Sequence, residues 1–331
     1  MRKLLAVILI AALAWGGYWF VGSSAVEKGM KRWFAAQRER GWTATYSDLS
    51  TTGFPNRFDT TITDLDLYDP VTGFGWRAPF FQIFALSYRP NQIITAFAND
   101  QTVQTPAESI ALASTRMRAS ATFALDTGLA LDHSTLIADG VTLTGETGWR
   151  VSADQIRAAT RPAVGLQHGH DLDIVAVELA PGPALRAAID AGGSLPPTLG
   201  TVKLDASLGF DAPWDRFALG NARPRLTTVD LTEARIVWGP LDLRASGDVA
   251  VGADGLPDGR ITVTATGWRR MIDMAVGAGL IPAAATDTVT RVLTMLAQST
   301  DDGETLDLPL SFSDGRMALG PVDLGPAPRL R

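Results

Sequence analysis

The chain has 331 residues, of which 29 are basic and 35 acidic, for a formal net charge of −6. The two signs are mixed along the chain, so there is no basic field for nucleic acid. Cysteine is absent, which removes disulfides, thiolate catalysis and cysteine-based zinc sites, and the length allows one large domain or two.

Met1, Arg2 and Lys3 open onto an uncharged run from Leu4 to Val26. As a helix this run is about 34 Å long, enough for a hydrocarbon core of about 30 Å. Trp15, Tyr18, Trp19 and Phe20 gather toward its far end, where an aromatic belt would sit. A retained anchor over residues 1–26 is favoured by length. The competing reading is a cleaved signal peptide, with Ser23-Ser24-Ala25 as a small-x-small site. Orientation carries a conflict. The Arg2-Lys3 start is an export signal, whereas Lys28, Lys31, Arg32, Arg38 and Arg40 on the distal flank would hold that side in the cytoplasm. The expectation is an inner-membrane span with the body, residues 27–331, in the periplasm.

Val26, Met30, Trp33 and Phe34 fall on one face of a predicted amphipathic helix that runs to Arg40 and ends at Gly41. That face packs on a sheet or rests on headgroups. Phe54-Pro55-Asn56 predicts a turn. Strands are predicted at Thr60–Leu67, Phe80–Tyr88, Gln92–Phe97, Ile110–Leu125 and Leu129–Thr144. Phe80–Tyr88 is apolar on both faces and reads as an interior strand. Gly-Trp-Arg occurs at residues 75–77, 148–150 and 267–269, either a weak internal repeat or chance. Ser152–Thr160 reads as a short helix with Ser152 as N-cap, Leu172–Leu179 as a strand and Gly182–Ala191 as a helix. Leu195-Pro196-Pro197 is a linker candidate between lobes at 42–194 and 195–331.

Three segments then alternate cleanly. Val202, Leu204, Ala206, Leu208 and Phe210 alternate with polar residues, as do Leu241, Leu243, Ala245, Val249 and Val251, and then Ile261, Val263 and Ala265. Successive strand side chains point to opposite faces, so these segments predict an antiparallel sheet with one apolar and one wet face. The turn at residues 254–259 brings the last two side by side. Trp268–Ala278 and Ala284–Gln298 are predicted helices divided by Pro282. Their apolar stripes are Met271, Met274 and Ala275, and Val289, Val292, Leu293 and Leu296. Leu306–Phe312 and Met317–Leu319 form a hairpin, after which Pro321, Pro326 and Pro328 oppose further pairing. The fold class is mainly β with a few helices (α+β): a long antiparallel sheet with one apolar face, packed by short helices, after an N-terminal transmembrane helix.

Chemistry is sparsely marked. The Gly-x-Ser-x-Gly, P-loop, Rossmann and His-Glu-x-x-His patterns are absent from the sequence. His168, His170 and Asp173 make the best metal candidate, but a polar turn before a strand is the commoner use of such residues. Asp64 with Asp66, and Asp211 with Asp215, are possible acid–base pairs on wet faces or turns, where solvated carboxylates are the default. No catalytic residue, metal or cofactor is assigned, and the chain is read as a non-enzyme.

Residues 53–59 (Gly-Phe-Pro-Asn-Arg-Phe-Asp), Trp76-Arg77-Ala78-Pro79, Ser87-Tyr88-Arg89-Pro90-Asn91 and residues 115–120 resemble the domain-of-unknown-function family 2125 of alphaproteobacterial envelope proteins. So does the ending from Asp307 to Pro321. The anchor, the one-faced strands and the strand-ending Gly-Pro are more distantly similar to AsmA-like envelope proteins. That likeness implies lipid held in a β groove and supplies no catalytic residue.

Two functions follow. In the first, an anchored envelope protein binds or conveys acyl chains along Val202, Leu204, Leu208, Phe210, Leu241, Leu243, Val249, Val251, Ile261 and Val263. In the second, those residues close a dry sandwich core in a structural or protein-interaction module whose partner is unknown. Burial separates them: a groove leaves these side chains partly open, a sandwich buries them.

Overall fold

The computed structural model describes residues 1–190, 192–218, 223–279, 281, 286–297, 304–320 and 322–330. The chain divides into two compact units: Met1–Leu125 with Leu136–Gly148, and Asp126–Thr135 with Trp149–Arg331. Both are dominated by antiparallel strands.

The first unit opens with one continuous helix, α1 (Arg2–Glu39). The predicted anchor and the predicted amphipathic helix are therefore successive parts of one rod. Gly41, with φ 87°, stops it by adopting the left-handed backbone that glycine tolerates. The C-terminal part lies on the sheet: Phe34 is buried with Ala44, Leu49, Ile62 and Leu65, and Met30 and Trp33 pack beside them.

The sheet of this unit is built on β3 (Arg57–Asp69), flanked on one edge by β1 (Thr43–Thr45) and β2 (Asp48–Thr52) and on the other by β4 (Phe74–Leu86). β4 is interior, as its two-sided apolar pattern predicts: it also pairs with β5 (Arg89–Phe97) and β6 (Asp100–Gln104). The single strand expected over residues 110–125 is two, β7 (Ser109–Ala113) and β8 (Arg116–Phe123). Between them the Ser114 and Thr115 amides donate to Asn99 and Asp139 carbonyls, which redirects the chain. β7 pairs with the C-terminal end of β9 (Leu131–Gly145).

The aromatic segment of α1 is docked on two loops of this unit. Trp15 and Trp19 donate their indole N–H groups to the carbonyls of Pro55 and Arg57, at 2.8 and 2.7 Å. The Tyr18 hydroxyl donates to the Ser87 carbonyl at 2.6 Å. The Ser87 amide in turn donates to Asn56 O, tying the β2–β3 loop to the β4–β5 turn. Trp19 is 6% exposed, packed against Phe54 and Phe58.

The second unit is an antiparallel meander: β10 (Arg150–Pro162), β11 (His170–Val177), β13 (Thr201–Phe210), β14 (Leu226–Trp238), β15 (Leu241–Val251), β16 (Pro257–Thr266), β17 (Thr305–Ser313), β18 (Arg316–Leu319) and β19 (Val322–Pro326). The short β12 (Ala180–Pro181) pairs with β10. The helix expected over residues 152–160 is strand instead. Its alanines and Ser152 favour a helix locally, but the ladder from Gln155↔Val177 to Pro162↔His170 overrides that preference. Pairing also continues past the last hairpin, because Pro326 sits at the end of β19, opposite Arg316; Pro321 lies outside the described residues.

Among the described residues, three helices pack on this unit: α2 (Pro183–Ile189), α3 (Trp268–Gly277) and α4 (Thr286–Ala297). Ala191, Pro282, Ala284 and Gln298, and the side chains of Val289 and Leu296, lie outside what is described. Trp268, Ile272 and Ala297 are buried with Leu306 and Leu308 of β17. Leu195 is buried with Trp238 and Leu241, and Met271 and Met274 pack against them. Asp190 clamps this corner, accepting from the Leu195 amide and from Arg270 Nη2, each at 3.0 Å. The Leu195 amide, aided by Arg270, holds its carboxyl below the usual carboxylate range.

Candidate functional site

Residues directly opposite in an antiparallel ladder share a face. One row therefore runs Ala176, Val202, Ile236, Leu243, Ala265, Leu306 across β11 to β17. The next runs Ile174, Leu204, Ala234, Ala245, Val263, Leu308. Further along, Leu208 faces Val229, which faces Val249, while Ile261 faces Leu310. All ten expected residues thus belong to one apolar face six strands wide.

Cover on that face is uneven. Helices α3 and α4 seal Leu306 and Leu308, and α2 and α3 reach Leu241. Leu241, Val249 and Val251 are buried, whereas Val202, Leu204, Leu208, Phe210, Leu243, Ile261 and Val263 are half-buried. Ile236, between Val202 and Leu243, is 42% exposed.

Ile236 and the whole of β14 are absent from the sequence reading. The strand alternates as Val229 and Leu231, then resumes as Ala234 and Ile236. The break is a bulge, a shift of register between Leu231 and Ala234, and a bulge inserts a residue that reverses the period-two pattern. The signal lay in reading the two halves separately.

The opposite face is charged. Lys203 lies 3.4 Å from both Asp205 and Glu233. Asp242 accepts from Arg235 and Arg244, each at 2.7 Å, and these hydrogen bonds, Arg235 first, bring its pKa to about 2.

The other candidates are held apart or already engaged. His170 lies opposite Leu208 on the apolar face, where burial pushes its imidazole below the usual value, opposed by Asp132 and Asp171. Asp173 is three residues on along β11 and so faces the other way, and His168 lies outside that strand with φ 59°. Among the described residues there is no group of three His, Asp or Glu side chains placed to hold an ion. Asp64 accepts from Ser47 at 2.7 Å and Asp66 pairs with Arg77 at 3.1 Å. Asp211 pairs with Arg225 at 2.8 Å, and Asp215 accepts from the Phe217 amide at 2.8 Å. Each carboxylate thus has a local structural partner. In the first unit, a groove of about 450 Å³ is lined by Arg57, Phe84, Leu86 and Ile94.

A family model described as an uncharacterized protein conserved in bacteria, DUF2125, matches residues 19–328. The chain belongs to the DUF2125 family. No curated protein and no solved structure matches it, and nothing in these comparisons supports the more distant AsmA-like likeness. In this DUF2125 chain, two of the segments that carry the resemblance, residues 53–59 and 87–91, meet at the aromatic stretch of α1. α1 is itself long and apolar enough to cross a membrane, a property that a signal sequence shares.

Proposed function

We propose that this DUF2125 protein is a non-catalytic envelope protein, held in the inner membrane by α1 with its body in the periplasm, that binds or conveys acyl chains on the apolar face of its second unit. Retention of α1 is supported by its docking: the helix runs unbroken through Ser23-Ser24-Ala25, and Ser23 is buried. Cleavage there would strip Trp19 from Phe54 and Phe58.

The observation that carries the lipid reading is Ile236, 42% exposed in the middle of an apolar row. A contiguous apolar patch left open to solvent marks a binding surface. Each methylene sheltered there contributes about 0.8 kcal/mol, so a partly covered chain gains several kcal/mol without a charged contact. Affinity would follow chain length and ignore the headgroup. Burial of Leu306 and Leu308 under α3 and α4, and of Leu241 beside α2 and α3, favours a closed core at those places. A structural module would need the same closure over Ile236.

Native mass spectrometry of the full chain, released from lipid nanodiscs, tests this reading. The wild type is expected to retain phospholipid and Ile236→Asp to lose it while its unfolding temperature stays within a few degrees. Val249→Asp, at a position 4% exposed, is expected to unfold the second unit, because it buries an unpaired charge. Wild type free of lipid, with Ile236→Asp as disruptive as Val249→Asp, would favour the structural module.

A further inference from the structure

The free part of α1 is too short to cross a bilayer without the body. Residues 1–15 are exposed along their length. The uncharged run ahead of the first docked residue, Trp15, is residues 4–14, about 16 Å of helix against a hydrocarbon core of about 30 Å. To reach the far interface the span must continue through Trp19 to about Ser23. That is the stretch on which residues 53–58 and the β4–β5 turn are docked.

Those two loops have the side chains that such a position requires. Phe54 is 56% exposed and stacks on Phe20, and Tyr88 is 57% exposed. Leu86 is also exposed at the turn, and it leads into the groove lined by Phe84 and Ile94. Aromatic residues are enriched where hydrocarbon meets headgroups. The exposed Arg89 carries positive charge at the same place, beside the Arg57–Asp59 ion pair, where lipid phosphates would meet it. The main-chain carbonyls of this docking are satisfied within the protein: those of Pro55, Arg57 and Ser87 each accept from a helix side chain. Non-helical backbone enters a membrane only where it is so paired or buried against protein.

We infer that residues 53–58 and 86–89 form a collar around α1 that is immersed in the bilayer, in its headgroup and upper acyl region, so that the first unit is seated in the membrane rather than tethered above it. This rests on α1 being a retained span. The occupant of the exposed Phe54–Tyr88 surface is the lipid that surrounds that span.

The absence of cysteine makes each introduced thiol unique. Full-length Phe54→Cys, Tyr88→Cys, Leu9→Cys and Val71→Cys variants, labelled with an environment-sensitive fluorophore, are placed in nanodiscs of phosphatidylethanolamine and phosphatidylglycerol. Val71, 87% exposed at the β3–β4 turn, reports the aqueous side. Labels at positions 9, 54 and 88 are expected to be quenched several-fold more strongly by nitroxide-bearing lipid than the label at 71. Position 9 quenched, with either 54 or 88 behaving like 71, would overturn the collar and leave the span standing. Position 9 unquenched would overturn both. Equal quenching at 71 would also overturn the collar, because protection would then not be confined to it. Phe54 and Tyr88 lie on different loops, so misfolding of one variant leaves the other to decide.

Discussion

Trp19 and Arg57 are joined by a 2.7 Å hydrogen bond from the indole N–H to the main-chain carbonyl, linking α1 to the first residue of β3. The same indole packs edge-on to Phe54 and tilted on Phe58. Packing and hydrogen bond together fix the helix to the first unit. Trp19→Ala removes both and is expected to lower the stability of that unit by about 3 kcal/mol, the low end for emptying a core aromatic site. Trp19→Phe keeps most of the packing and is expected to cost about 1 kcal/mol for the lost hydrogen bond. Denaturant unfolding of the full chain in detergent checks this order.

Gly22 lies one helical turn further on, and a Cβ there would stand 2.5 Å from Phe58 Cζ. Gly22→Ala is therefore expected to cost about 1–3 kcal/mol by overpacking. Gly29, on the same helix, has open space at its Cβ position. Gly29→Ala is expected to stabilise the helix by about 0.5–1 kcal/mol, the usual gain over glycine in a helix interior. Equal effects of the two substitutions in thermal unfolding would show that α1 does not pack closely on Phe58.

Asp242 sets an acid limit on the second unit. Its folded pKa, about 2, lies below the ordinary carboxylate value. Its contribution is thus fully present above the unfolded pKa of about 4 and lost as pH falls through the folded value. With solvent screening of the half-exposed Arg244, the loss is expected to be about 1–2 kcal/mol between pH 4 and pH 2. Asp242→Asn is expected to flatten that window of the stability–pH curve while lowering stability at neutral pH, as urea titrations at stepped pH would report.

The sheet was legible wherever alternation ran unbroken. β13, β15 and β16 keep one parity on their inward side; β13 and β15 begin where Val202 and Leu241 begin their runs, whereas β16 begins at Pro257, ahead of Ile261 and within the expected turn. β14 was illegible because its bulge reverses parity between Leu231 and Ala234. The most exposed residue of the central apolar row, Ile236, went with it. β10 was obscured for a different reason: its local preference is helical, and its pairing with β11 and β12 makes it a strand. The docking of Trp15 and Trp19 on Pro55 and Arg57 depends on contacts about forty residues apart in sequence, which no local pattern encodes. The aromatic residues that the sequence gathers there, Trp15, Tyr18 and Trp19, are docked on protein.

The central claim is that acyl chains reach the apolar face of β13 to β15 and are not limited to the surroundings of α1. A phospholipid with a diazirine in its acyl chain, incorporated with the full-length protein in nanodiscs and then irradiated, tests this directly. Peptide mapping is expected to find adducts at Val202, Leu204, Leu208, Ile236 or Leu243 in addition to those on α1. Adducts confined to α1 and to residues 53–58 and 86–89 would contradict it.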